Sequence, residues 1–359
     1  MDFFRILEAV RSVTGARQHN SFPAQAPTVK TIRLGSNPER VIMVHDSRLA
    51  KSVLDSSRYC QFHFLEKILA VAKPERINWV QRFCDTGLIM VEGPVHQQRR
   101  VNTKRSLDRC FHRLNAIPPS TIANVIAKAC RGTGPLTARK ISSDVVFFMF
   151  SECICELARA DNTDLPKEFI LAADFFNPFP TLSSLYRCNE AIRLCCESFD
   201  FEALEEGDQT TVLSLLVMGV SPMHAMFTSM INTSIEAARA GLQPQEALES
   251  IAAVDAYTIT ATNFVMRKCI EQDVVGGEEV NPGDVLYLFL GSASGCPLSR
   301  LTSIPFGAGR HYCSGAKLTA EMVRLVAAAV QTNLTALASV LPSTVEAGRA
   351  TAFLTYEDV

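Results

Sequence analysis

The segment Phe306-Gly307-Ala308-Gly309-Arg310-His311-Tyr312-Cys313-Ser314-Gly315 decides how this chain is read. Glycines at 307, 309 and 315 let the backbone turn tightly, because glycine enters left-handed conformations without the Cβ penalty other residues carry. Cys313 lies just ahead of a helical pattern that starts near Ala316, and the positive end of a helix favours thiolate over thiol. A thiolate is the form of cysteine that binds metals, so this loop is where chemistry is expected.

The rest of the composition narrows the setting. The 359 residues are 47% hydrophobic and 20% charged, a core-forming globular balance. A formal net charge of -2 gives no long-range field to hold a polyanion, so nucleic acid is disfavoured as a partner. The opening MDFFRILEAVRSV carries Asp2, Arg5, Glu8 and Arg11 among its apolar positions, and later apolar runs are interrupted, so neither a signal peptide nor a membrane span is expected. A soluble, cytoplasmic protein is the corresponding expectation. The 12 cysteines are irregularly spaced with no pair of C-x-x-C units, which argues against a disulfide framework or a structural zinc site and for small buried apolar residues.

Working outward from the loop, Thr31–Leu34 and Val41–Val44 read as paired strands, and Asp46 as the N-cap of the helix SRLAKSVLD. From about 60 to 205 the period is mostly helical, with helices over Phe64–Ala72, His96–Asp108, Ser120–Cys130, Ser142–Ala158 and Tyr186–Phe201. The segment Thr210–Ala240 is apolar around most of its circumference, as in a helix buried on several sides, and Pro222 breaks its hydrogen-bond ladder. After a further helix from Pro244 to about Tyr257, a Gly-Gly turn and the run Val285–Leu290 read as strands, and a helix follows from Ala316. No linker or repeat appears, so residues 1–359 are read as one domain.

The loop matches F-x-x-G-x-[RH]-x-C-x-G without a miss and in this resembles the cytochrome P450 superfamily, whose haem iron is held by a cysteine thiolate. The resemblance implies a mainly α fold with small β-sheets, a single triangular helix-rich domain, with heme b as cofactor and Cys313 as its axial iron ligand. It places Phe306 beside the sulfur, His311 and Gly315 within the cofactor loop, and loop amides pointing at the sulfur. His96 and Arg100 in EGPVHQQRR resemble the family's H-x-x-x-R, four apart on one helical face where both reach a haem propionate. Arg267 stands where many members place a further propionate arginine. The strand text VVGGEEVNPGDVLYLFL and the early VIMVHDSRLAKSVLDSSRY extend the likeness over most of the chain.

Two departures qualify it. The family's long helix carries (A/G)-G-x-(D/E)-T, an acid and an alcohol that deliver protons; laid on Gly219, this chain has Ser221 for the acid and Pro222 for the alcohol. Ser221 and His224 are the remaining candidates for proton transfer there, with Thr228 beside them. The Glu-x-x-Arg of the following helix is also missing: its place falls near Val254 and Tyr257, and the pair Glu236/Arg239 comes too early. The loop that this ion pair normally anchors is cut back to GSASGCPLSRLTSIP, and removing a buried pair together with its loop is a stable solution.

The resemblance implies a monooxygenase-type oxidation of a small apolar or aromatic metabolite in specialised biosynthesis, fed electrons by a separate ferredoxin or flavoprotein reductase. Met218, Val220, Met223, Met226 and Phe227, then Thr262, Asn263 and Phe264, and residues between Phe83 and Met90 are the expected pocket walls. Arg82, Arg99, Arg100, Lys104, Arg105, Arg109, Lys317 and Arg324 form a basic cluster suited to an acidic electron donor. The lost acid and alcohol raise an alternative: a redox-neutral or peroxide-dependent enzyme that cleaves an O–O or N–O bond, dehydrates, isomerises or transfers a nitrene-like group. A non-catalytic haem-binding protein is the third reading.

Overall fold

The fold was taken from a computed structural model that describes residues 29–33, 40–44, 46–61, 69–131, 136–160, 165–176, 181–243, 264–289 and 306–343. They fall into two compact units. A strand unit draws its described residues from 29–61 and 264–313, and a helical unit from 69–243 and 314–343. The N-terminal segment, most of the helix expected over 64–72, the helix expected after Pro244, the place of the missing Glu-x-x-Arg and the shortened loop before Phe306 lie outside the described residues.

The strand unit is built on a five-stranded sheet in the order β1-β2-β7-β4-β3. β1 (Val29–Arg33) pairs antiparallel with β2 (Arg40–Val44) as expected, and β2 runs parallel to β7 (Val285–Phe289) with Val41 opposite Val285. β3 (Tyr59–Gln61) and β4 (Phe264–Cys269) close the other edge, Gln61 opposite Arg267. The expected cap is present: Asp46 accepts from the amides of Arg48 at 2.8 Å and Leu49 at 3.1 Å and starts α1 (Ser47–Asp55). Helix α1 packs Ala50, Val53 and Leu54 into a core with Ile42, Val44, Leu286 and Leu288.

A separate hairpin joins β5 (Asp273–Val275) to β6 (Glu278–Val280). Its two turn residues, Gly276 and Gly277, have φ of 58° and 86°, the pair of positive values that a tight two-residue hairpin requires. Arg40 and Asp284 form a fork, 2.6 Å at the shortest, that ties β2 to the residue before β7. Although burial alone pushes the Asp284 carboxyl up, the Arg40 hydrogen bond holds it below the ordinary carboxylate range.

The helical unit contains α2 (Asn78–Thr86), α3 (Gly93–Asn115), α4 (Pro119–Cys130), α5 (Ala138–Ala158), a 3-10 segment (Lys167–Phe176) and α6 (Leu182–Glu197). The apolar segment expected from Thr210 becomes α7 (Glu206–Ser214), a π turn (Leu215–Gly219) and α8 (Val220–Arg239). Proline explains the interruption. Pro222 has no N–H to give the carbonyl four residues back, and just upstream the ladder slips, the Val220 amide reaching back five residues to Leu215. This stretch is long and apolar enough to cross a membrane by length and composition, but 72% of its apolar window is buried inside the protein, as in a core helix. α9 (Ala316–Thr332) and the short α10 (Leu334–Leu337) complete the unit.

Candidate functional site

The cysteine loop is held by backbone geometry. Gly307 and Gly309 have φ of 71° and 66°, so both occupy the left-handed region that favours glycine, and of the two the motif fixes Gly309. At Gly309 space is also lacking: a Cβ would lie 2.3 Å from the Leu54 carbonyl oxygen at the end of α1. Between the glycines, Ala308 is buried in the strand unit's core. The Arg310 guanidinium then donates to the carbonyls of Ser56 at 3.2 Å and Tyr59 at 3.0 Å, fastening the turn to the α1–β3 junction.

The loop closes when the Cys313 amide donates to the Phe306 carbonyl at 2.9 Å and the Tyr312 amide to that of Gly309 at 3.1 Å. These two amides therefore face main-chain carbonyls of the loop. Of the eleven described cysteines, Cys313 alone is exposed. Burial pushes the thiols of Cys84 and Cys195 up to about 12, so they stay protonated and apolar. The chain enters α9 three residues after Cys313, with Gly315 at the cap.

The other expected cofactor residues are donors on rigid elements. In the strand unit, Arg267 is buried in β4 and donates to Gln61 Oε1 at 2.6 Å and to the Met266 carbonyl at 2.8 Å, while His311 is half-buried in the cysteine loop. In the helical unit, His96 is 3% exposed and Arg100 half-buried, one turn apart in the first half of α3. Within the strand unit, an exposed thiol in a glycine-shaped loop, a buried arginine on a strand and a half-buried histidine in the loop are donors whose chemistry fits an iron porphyrin with carboxylate side chains.

The central helix divides its candidate residues. Met218, Ser221 and Pro222 are half-buried, whereas Val220 and Met223 are buried in the core and Phe83 is packed at 5.1 Å against Phe175. Thr262 and Asn263 lie outside the described residues. His224 is buried with Nε2 2.9 Å from Ser143 Oγ and 3.2 Å from the Arg139 carbonyl of α5. Its own carbonyl accepts from Ser142 and Thr228, each at 2.8 Å. Burial lowers its pKa to about 4, so the ring is a neutral pin between α8 and α5.

Glu236 and Arg239 form no ion pair. Arg239 instead donates to the carbonyls of Ala338 and Val340, consistent with this pair being too early to replace the missing one. Most of the basic cluster is engaged as well. Arg82 meets Glu202 at 2.5 Å, Arg109 meets Asp208 at 2.6 Å, Arg324 meets Glu321 at 2.5 Å, and Arg99 donates to the Asp85 carbonyl. Lys317 lies 3.4 Å from Asp108 and 3.8 Å from the centre of the Phe111 ring, while Lys104 and Arg105 are exposed and form no ion pair among the described residues.

Sequence reasoning missed the Arg310 anchor and the role of Asp208. The first leaves no pattern, because its acceptors are main-chain carbonyls. The second has a faint one, Asp208 being one of two acids in the first turn of α7.

The chain has the fold of solved cytochrome P450 structures. The match to these structures extends over most of the chain at low sequence identity. P450BioI, in complex with an acyl carrier protein ligated to hexadec-9Z-enoic acid, matches at a TM-score of 0.64 and 14% identity over 98% of both chains. TxtC, described as performing sequential aliphatic and aromatic thaxtomin hydroxylation, matches at 0.59 and 14% over 94% of this chain and 97% of its own. CxnD, the enzyme for C–S bond formation in chuangxinmycin biosynthesis, matches at 0.53 and 15% over 96% and 91%. No protein-family model and no curated protein sequence matches the chain.

Proposed function

We propose that the protein is a haem-thiolate oxidoreductase that oxidises a small apolar or aromatic metabolite, with residues 1–359 acting as one catalytic domain. The observation that carries this reading is Cys313, the exposed thiol at the end of a loop whose two positive-φ glycines and arginine anchor fix its course. Heme b, when bound, supplies iron redox chemistry tuned by an axial thiolate. The chain's part is to hold and orient it. Cys313 gives the sulfur, Phe306 shields it from water, and the loop closure from Cys313 to Phe306 keeps the two together.

His96 and Arg100 in the helical unit, and Arg267 and His311 in the strand unit, are the donors assigned to the propionates. Ser221, with its hydroxyl on the half-buried side of the central helix, is the residue assigned to move a proton beside the cofactor. Met218 shares that half-buried side and is the pocket residue this reading favours. Lys104 and Arg105, the uncompensated part of the basic cluster, are assigned to steer an acidic ferredoxin or flavoprotein reductase. The similar enzymes in specialised biosynthesis support a metabolite as substrate.

One observation favours a second reading: Pro222, where the family places an alcohol, has no proton to give. An enzyme of this kind would accept peroxide, or a substrate that already carries an O–O or N–O bond, and dispense with reductive use of dioxygen. Single-turnover assays under anaerobic conditions separate the two. Strict dependence on dioxygen and reductant supports the monooxygenase, and product formed without either supports the alternative.

A further inference from the structure

Among the described residues three carboxylates are buried: Asp208, Asp284 and Glu321. Glu321 pairs within its own helix and Asp284 ties a strand edge, but Asp208 joins two helices of the helical unit. Its Oδ1 accepts from Ser106 Oγ at 2.5 Å and from Arg109 Nη2 at 2.6 Å, both on α3. Beside it, a Cβ on Gly207 would stand 3.0 Å from Asn102 Cβ, so the first turn of α7 lies tightly against α3. Asn102, Ser106 and Arg109 recur at helical spacing and form one seam along α3.

A buried carboxylate is costly unless its partners are well placed, and this contact could have been made with apolar groups at less cost. What the ionic contact supplies is rotational definition. Apolar side chains slide, whereas two hydrogen bonds converging on one oxygen fix how α3 is turned against α7. The seam also holds more polar capacity than its described partners use: Thr103 Oγ1 and Arg109 Nε, both buried on α3, have no hydrogen-bond partner among the described residues.

The turn of α3 matters for residues farther along it. At 100° per residue, His96 stands about 80° and Arg100 about 120° round the helix from Ser106. They lie beside the seam, so rotation of α3 carries them sideways. With side-chain ends about 5 Å from the axis, a twist of about 20° moves them by about 2 Å, enough to lose a charge-assisted hydrogen bond. We infer that Asp208 is a positioning residue, which through Ser106 and Arg109 sets the rotation of α3 and so aims His96 and Arg100 at the haem propionates. The inference rests on the proposed haem site.

The test uses haemin titration of the full-length apoprotein, alone and with R100A. D208N keeps the size of the side chain and an acceptor for Ser106 but removes the charge facing Arg109. The expected result is haemin binding weakened about tenfold by D208N in the wild-type background and only about threefold in R100A, because one of the two propionate contacts through which Asp208 acts is already gone. Hydrogen exchange in residues 96–104 should quicken in D208N apoprotein. Equal weakening in both backgrounds means a general structural role and overturns the inference, as does unaltered binding by D208N. Should D208N not fold, S106A carries the same test with an expected loss of about threefold. Wild-type apoprotein that takes up no haemin overturns the haem reading itself, an outcome distinct from wild-type uptake with an unaltered variant.

Discussion

The cysteine loop and the middle of the central helix are the two regions where this chain meets its expected chemistry, and they are specified in opposite ways. In the loop the backbone carries the information: Gly307 and Gly309 adopt left-handed geometry, Ala308 is buried, and Arg310 holds main-chain carbonyls. Few other residues fit, and the motif is kept whole. In the central helix the backbone is adaptable. It absorbs Pro222 by slipping one π turn at Leu215–Gly219, and the residues on its half-buried side are free to change. The seat for a cofactor is thus conservative in its demands, whereas the side chains that would steer its reaction are open to replacement.

Substitutions can break or sharpen this contrast. The largest effect is expected from Gly309→Ala, which combines a positive φ with a Cβ only 2.3 Å from the Leu54 carbonyl. It should cost about 3 kcal/mol or more in denaturant unfolding, since the neighbouring atom is backbone and cannot step aside. A cost below about 1 kcal/mol would show that the loop is not built as described.

The central helix should respond through side chains and pH. The buried His224 stays neutral down to about pH 4, while in the unfolded chain the ring takes its proton near 6.5. Between those values the unfolded state binds more protons, so this contribution is complete above pH 6.5 and lost as pH falls toward 4. The loss amounts to about 3 kcal/mol at most. Unfolding measured from pH 7 to 4 should show that slope, and H224Q should flatten it.

Gly307→Ala sharpens the comparison within the loop. It has the same sign of φ as Gly309 but nothing within 4 Å of a new Cβ, so only the conformational term remains, about 1 kcal/mol. The smallest change in stability belongs to Ser221→Ala. A half-buried hydroxyl on an adaptable helix should matter by less than about 0.5 kcal/mol, while turnover with dioxygen and reductant falls about tenfold if Ser221 moves the proton. Unchanged turnover would remove Ser221 from the chemistry.

The same contrast explains what could be read in advance. Features decided within a few residues were legible: the strands around Val29–Val44, the Asp46 cap, the Gly276-Gly277 hairpin and the break before Pro222. Helix ends were less so. α3 begins at Gly93 and runs to Asn115, beyond the expected His96–Asp108, because its polar outer face has no apolar period to mark where it stops. Long-range contacts were not legible at all. Nothing in the sequence says that Arg310 reaches the carbonyls of Ser56 and Tyr59, or that Asp208 meets Ser106 and Arg109, since each joins segments brought together only by packing. For His224, sequence offers both a catalytic role and that of a satisfied core histidine, and its hydrogen bonds to α5 favour the second.

The central claim is that Cys313 is an iron ligand, and the reduced carbon monoxide difference spectrum of the haem-loaded protein tests it most directly. The wild type should show the absorption position characteristic of a thiolate-ligated haem, and Cys313→Ser should lose it while the far-ultraviolet spectrum stays unchanged. A thiolate-type spectrum that persists in Cys313→Ser, or a wild-type protein whose complex absorbs as an imidazole-ligated haem does, would contradict the account.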